Sequence, residues 1–226
     1  MRRLLLVLLV GLFASTSVAQ PVPDSVRAPH PLKIVWGFDG GAVLPQGNFR
    51  ETVGARHGGF KGFFGARLRS GFGFGVHLAH SQLQTRSETA TLDSGLDVDL
   101  KTTTSITRVG LFGQFGPRFG SVRPYGEGVV GINVLGTDTK IPGNSRGPEN
   151  RKTHRESVAP AAGLAVGVEI GLGRVVGGNF ALRIEGRRTY GGTADYLLYS
   201  REEGEFVERS SGTTTSSFRI GVTLNY

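Results

Sequence analysis

The last ten residues constrain the fold most. In Ser217–Tyr226, Phe218, Ile220, Val222, Leu224 and Tyr226 alternate with Arg219, Gly221, Thr223 and Asn225. Strict period-two alternation is the mark of a β-strand with two unlike faces. Such a strand needs a sheet around it, and seven further segments upstream carry the same pattern. They are 33–44, 59–68, 72–83, 98–115, 122–135, 157–172 and 180–190. In the segment 157–172, Leu164, Val166, Val168, Ile170 and Leu172 alternate with Gly163, Ala165, Gly167, Glu169 and Gly171.

The connections between these segments also alternate. Residues 69–71, 116–121 and 173–179 form short turns, whereas 45–58, 84–97, 136–156 and 191–212 read as long polar loops. An even number of strands of nine to eleven residues or more, with long loops at one end and short turns at the other, predicts a transmembrane barrel. The expected fold is all-β: a closed eight-stranded antiparallel up-and-down transmembrane β-barrel spanning residues 33–226, with both termini on the periplasmic side.

The N-terminus points to the same compartment. Arg2 and Arg3 precede an apolar run, Leu4–Phe13, that is too short to span a bilayer. Val18 and Ala19 end a small-residue cleavage site, so residues 1–19 are expected to be a signal peptide, cut between Ala19 and Gln20. Residues 20–32 hold Pro21, Pro23, Pro29 and Pro31 and read as an extended lead-in. No apolar run of helix-spanning length follows residue 19, which argues against a helical membrane protein. The chain has 36 Gly and no Cys. The glycines disfavour helix and suit a crowded sheet interior. The missing Cys excludes thiol chemistry and Cys-ligated zinc. No cofactor or metal site is expected.

Alternation alone does not say which face meets lipid, since a soluble barrel alternates too. Composition does. One face carries Phe, Leu, Ile, Val and Trp almost without interruption. The other is mostly Gly and Ala, punctuated by Asp39, Lys61, Arg67, Arg108, Arg123, Glu127, Glu169, Arg183, Glu185, Arg187 and Arg219. Small residues with a few long charged ones suit a narrow eight-strand lumen, and backbone groups in lipid require the sheet to close.

These features resemble the small eight-stranded outer-membrane β-barrels, the superfamily of the OmpA transmembrane domain and of OmpX. The likeness rests on the export signal, the strand–turn–strand–loop rhythm, the stretch Arg123-Pro124-Tyr125-Gly126 and the C-terminal strand. The superfamily's C-terminal insertion signal is matched by Arg219, Gly221, Leu224 and Tyr226, with Tyr226 where Phe is usual. The resemblance implies a Gram-negative outer-membrane location and recognition of the last strand by the barrel-assembly machinery. It names no activity.

The inward charges are expected to form an ion-pair network that plugs the lumen. Counting up from the turns places Glu169 against Arg183, Glu185 against Arg219, and Asp39 against Arg219 across the closing seam. A charged pore or proton path is the alternative. A lipid A-modifying enzyme is a further one, for which His80 and Ser81 are the adjacent candidates, though neighbouring residues point to opposite faces of a strand. His77 reads as a lumen residue. The net charge of +8 becomes +6 without Arg2 and Arg3, and is scattered along strands in a way that does not suggest nucleic acid. Outer-membrane lipid and lipopolysaccharide are the expected partners, the latter through Lys140, Arg146, Arg151, Lys152, His154 and Arg155, or those residues are simply solvated. The protein is expected to be a monomer.

Overall fold

The alternating segments pair in sequence order until the last meets the first. In a computed structural model, residues 32–54, 56–91, 97–117, 120–140, 151–175, 178–199 and 206–226 are described. The export signal, the Ala19–Gln20 cleavage site and the lead-in up to residue 31 therefore lie outside the described residues, as does Arg146. The strands are β1 (Leu32–Pro45), β2 (His57–Leu68), β3 (Phe72–Thr91), β4 (Asp97–Phe115), β5 (Val122–Lys140), β6 (Arg151–Val175), β7 (Gly178–Gly191), β8 (Thr193–Tyr199), β9 (Phe206–Gly212) and β10 (Thr215–Asn225). A six-residue helix, α1 (Asn48–Val53), follows β1.

Eight of these strands close a barrel in the order β1-β10-β7-β6-β5-β4-β3-β2, every neighbouring pair antiparallel. At the seam Trp36 pairs with Leu224 and Asp39 with Gly221, and the Tyr226 amide donates to Ile34 O. The start of β1, the end of β10 and the short turns share one end of the barrel.

The outward face exposes Trp36, Phe38, Phe64, Leu111, Leu164, Val166 and Ile220, while Asp39, Lys61, Arg183 and Glu185 on the inward face are each 1 % exposed. A hydrocarbon surface on the outside of a closed sheet is what lipid demands, because every backbone group of the wall is already paired. Glycine lets the interior hold rings. A Cβ at Gly37 would collide with the Phe63 ring, and one at Gly167 with that of Tyr125.

The structure departs from the sequence reading at the end with the long connections. Residues 84–97 and 136–156 were expected to be loops, but β3 pairs with β4 as far as Thr91–Asp97, and β5 with β6 as far as Lys140–Arg151. Threonines on this stretch are β-branched and fit a ladder: Thr102 meets Thr139 at 2.7 Å and Thr104 meets Thr137 at 3.1 Å. These strands run to 19–25 residues, against 11–14 for β1, β2, β7 and β10. One side of the wall is thus much taller than the other. Residues 191–212 are not a simple loop either. They contain the β8–β9 hairpin, a separate two-stranded sheet. The connection 45–58 contains α1.

Candidate functional site

The lumen has two storeys. The midsection is ionic and is built by inward positions of the barrel strands. Glu185 on β7 is its most contested acceptor. Lys61 Nζ donates to both its oxygens at 2.9 Å, Arg187 Nε donates at 3.0 Å, Arg183 Nη2 at 2.7 Å, and the Tyr125 hydroxyl at 3.2 Å. Glu127 accepts from Arg183 at 2.7 Å and from Arg187. Nearer the turns, Arg67 clasps Glu169 with two bonds of 3.0 and 2.9 Å, and Arg123 lies 3.4 Å from the same carboxylate. Asp39 lies 3.0 Å from Lys61.

Arg183 is the hub. It reaches Glu127 and Glu185 directly and stands 3.8 Å from both Asp39 and Glu169. Its guanidinium is sandwiched between the rings of Phe63 and Tyr125, 4.5 and 4.4 Å from their centroids. A planar, weakly hydrated cation is suited to such a place.

Of the three pairings expected from register, the Glu169–Arg183 approach is present at 3.8 Å. The other two are corrected. Glu185 and Arg219 are backbone partners, yet Glu185 is engaged by Lys61, Arg183 and Arg187. Asp39 is the partner of Lys61 on β2 and of Gly221 on β10, so it pairs with Lys61 and not with Arg219. For Asp39 the reason is register, and for Glu185 it is reach. In a narrow lumen a long side chain meets groups across the axis as easily as its neighbour on the next strand. Among the described residues, Arg108 and Arg219 have no carboxylate within 4.0 Å. Arg108 donates instead to Asn133, Thr189 and Thr215. Tyr125, Phe63, Gln114 and Asn133 were given no role by the sequence reading, although all four stand at inward positions of the alternation.

The upper storey is apolar and was missed. Phe49 and Val53 of α1 and Ala194 and Tyr196 of β8 bury against Leu83, Ile106, Leu135 and Ala159, the inward residues of the four tall strands. Phe49 meets Tyr196 edge-on at 5.7 Å. Leu197 O accepts from Thr104 at 2.9 Å and from Thr137 at 3.2 Å, and Asn133 donates to Thr213 at 2.7 Å. The hairpin is therefore held across the mouth at the end of the long connections. The signal was in the sequence: along β4 the inward face changes from Arg108 to Ile106, and along β5 from Asn133 to Leu135.

His80 and Ser81 occupy opposite faces of β3. The Ser81 hydroxyl donates to Gly58 O at 2.7 Å, while His80 Nδ1 lies 3.0 Å from Thr107 Oγ1. Beside them β2 ends while β3 continues, leaving an open cleft of about 800 Å³ whose lining includes His57, His80 and Ser81. Lys140, Arg151, Lys152, His154 and Arg155 lie in β5 and β6, but their side chains are outside the described residues.

No protein-family profile matches the chain, and no curated protein does. Among solved structures, it is similar to Neisserial surface protein A (NspA), with 13 % identity, 86 % of this chain and 97 % of that one covered, and a TM-score of 0.52. It is also similar to a major outer membrane protein from Thermus thermophilus, with 12 % identity, 87 % and 100 % covered, and a TM-score of 0.50. At such identity the likeness is one of fold. The chain has the fold of the small eight-stranded outer-membrane β-barrels.

Proposed function

We propose that the protein is an outer-membrane β-barrel with a closed lumen and a structural or surface-interaction role, exported by its N-terminal signal and oriented with both termini in the periplasm. The observation that carries this reading is the pairing of a continuous apolar outer face with a lumen filled at two levels. The tall β3–β6 wall supports the surface role. Its strands exceed the nine to eleven residues a bilayer requires, so one side of the barrel projects beyond the membrane. The partners are outer-membrane lipid and the phosphates of lipopolysaccharide, met by the basic residues at the tips of β5 and β6. Arg219, Gly221, Leu224 and Tyr226 are the mark read by the assembly machinery. The protein acts as a monomer and carries out no catalysis.

Heat-modifiable migration in an outer-membrane fraction tests the location, and its absence from that fraction defeats the reading. Planar-bilayer recordings test closure: the wild type is expected to give no stable conductance. A steady conductance that Glu185→Ala abolishes would make the lumen a pore. Lipid A mass spectrometry of a deletion strain separates an enzyme from a structural protein, with an unchanged spectrum expected. Removing Tyr226 is expected to cut assembly in cells severalfold while leaving the midpoint of protein refolded in detergent nearly unchanged. Equal losses in both would assign Tyr226 to stability instead.

A further inference from the structure

The barrel wall has a step where β2 begins. β2 starts at His57 and first pairs with β3 at Gly59–Ser81, whereas β3 continues to Thr91. Two clefts meet at this step. The larger, of about 800 Å³, runs along β3 past the polar side chains of Gln82, Gln84 and Thr85. The smaller, of about 420 Å³, opens on the outward face of β1 and β10, over Gly40, Ala42, Phe218 and Ile220. Arg56, His57 and Gly58 line both. Register explains the smaller cleft. Gly40 pairs with both Ile220 and Phe60, and Ala42 with both Phe218 and Gly58. Two glycines and an alanine thus form a floor among bulky side chains, and a Cβ added at Gly40 or Gly58 would meet nothing within 4 Å. Phe60 is the ridge between the clefts. Its ring stacks on Phe38 at 5.7 Å and lies 5.6 Å from that of His80, which Thr107 holds at 3.0 Å. Arg56 stands at the junction. It is exposed and, among the described residues, has no carboxylate within 4.0 Å.

Each part fits one part of an amphiphile. The glycine-floored hollow lies on the apolar outer face and suits a hydrocarbon chain, which packs closer to glycine than to Phe or Ile. A guanidinium is suited to a phosphate. The amides and hydroxyl of the larger cleft supply the donors and acceptors that a sugar needs. We propose that this step is a seat for a phosphorylated, acylated sugar lipid, the lipid A part of lipopolysaccharide. One acyl chain lies in the hollow, a phosphate meets Arg56, and the sugar lies against Gln82 and Thr85. A phospholipid has the chain and the phosphate but no sugar for the larger cleft. The inference rests on the proposed outer-membrane location, and it gives the lipopolysaccharide partner a site away from the basic tips of β5 and β6.

The test uses the mature chain refolded in detergent, with bound lipid counted by native mass spectrometry after titration with lipid A or with phosphatidylglycerol. The wild type is expected to retain one lipid A per barrel and to prefer it to phosphatidylglycerol. Arg56→Ala removes the phosphate contact and is expected to weaken lipid A binding about tenfold. Gly40→Leu fills the hollow without a clash and is expected to weaken it similarly. Both variants are expected to keep the heat-modifiable migration of the wild type, which shows that the barrel is intact. Arg151→Ala combined with Lys152→Ala, at the tips of β5 and β6, is expected to leave the retained lipid in place. Equal binding of the two lipids would overturn the proposal and leave an ordinary lipid annulus. Normal binding by both Arg56→Ala and Gly40→Leu, with loss on changing Arg151 and Lys152, would also overturn it, while the lipopolysaccharide partner stood. No lipid A binding by the wild type would remove both the seat and that partner, and the outer-membrane location would still rest on fractionation.

Discussion

The midsection of the lumen and its mouth at the end of the long connections are both occupied by side chains, but of opposite chemistry. The midsection holds charges: Glu185 meets Lys61, Arg183 and Arg187, and Glu169 meets Arg67 and Arg123. The mouth holds apolar groups, with α1 and β8 brought in from connecting segments to meet Leu83, Ile106 and Leu135. The midsection is made entirely of barrel strands, so it cannot open without the wall moving. The mouth is made partly of inserted pieces, which can leave while the wall stays shut. The difference suggests one element that sets the stability of the barrel and another that stands as a separable lid.

The largest expected effect breaks the midsection. Glu185→Ala leaves three buried cations facing fewer carboxylates and raises an existing positive surplus. It is expected to cost about 3–5 kcal/mol. Arg183 stands within 3.8 Å of all four carboxylates, yet Arg183→Met is expected to cost less. Each carboxylate keeps another cation: Asp39 keeps Lys61, Glu127 keeps Arg187, Glu169 keeps Arg67, and Glu185 keeps both Lys61 and Arg187. The substitution also lowers the surplus, and Met fills space flexibly between Phe63 and Tyr125. Equilibrium urea unfolding of the refolded variants ranks the two. The opposite order would mean that the cation–π sandwich, not charge balance, holds the midsection.

How far each storey could be read in advance follows from the same contrast. Alternation alone separates Trp36 and Phe38 from Asp39, because a pleated strand sends neighbours to opposite sides. It also identifies every charged residue of the midsection as inward. It does not give their partners. Glu185 and Arg219 are opposed in register, but the Glu185 carboxylate meets Lys61 on β2, with β10 and β1 between them around the barrel, and strand spacing holds no information about reach across the lumen. The mouth was harder still. Residues 193–212 hold mostly polar and small side chains, and among the described residues the buried ring there is Tyr196. The legible sign lay elsewhere, in the change of the inward face from Ser81 to Leu83 and from Arg108 to Ile106. In β3 that change coincides with a bulge between Gln82 and Gln84, which interrupts the period on which the reading depends.

The mouth is broken by Phe49→Ala. Phe49 is fully buried and edge-on to Tyr196, so the truncation is expected to cost about 3 kcal/mol of cap stability. If the lid is separable, that loss appears as faster hydrogen exchange in β8 and β9, with the exchange of β1, β7 and β10 unchanged. The urea midpoint of the barrel is expected to move little. A drop in that midpoint matching the loss in the cap would merge the two storeys into one cooperative unit.

The smallest expected effect sharpens where the ionic storey ends. Arg123 is a member of the network by position, but its side chain is 12 % exposed and its only carboxylate contact among the described residues is the 3.4 Å approach to Glu169. Glu169 loses little without it, because Arg67 holds both its oxygens and Arg183 stands nearby. Arg123→Ala is therefore expected to cost no more than about 1 kcal/mol, and less in high salt, as for a solvent-screened pair. Arg67→Ala removes the two-bond clasp on the same carboxylate from a more buried position, and its cost is expected to be larger and nearly salt-independent. Urea unfolding of both variants at low and high salt draws the boundary. If Arg123→Ala proves as costly and as insensitive to salt as Arg67→Ala, the buried network extends to the turns, and the end of the barrel near Arg123 is closed as firmly as its middle.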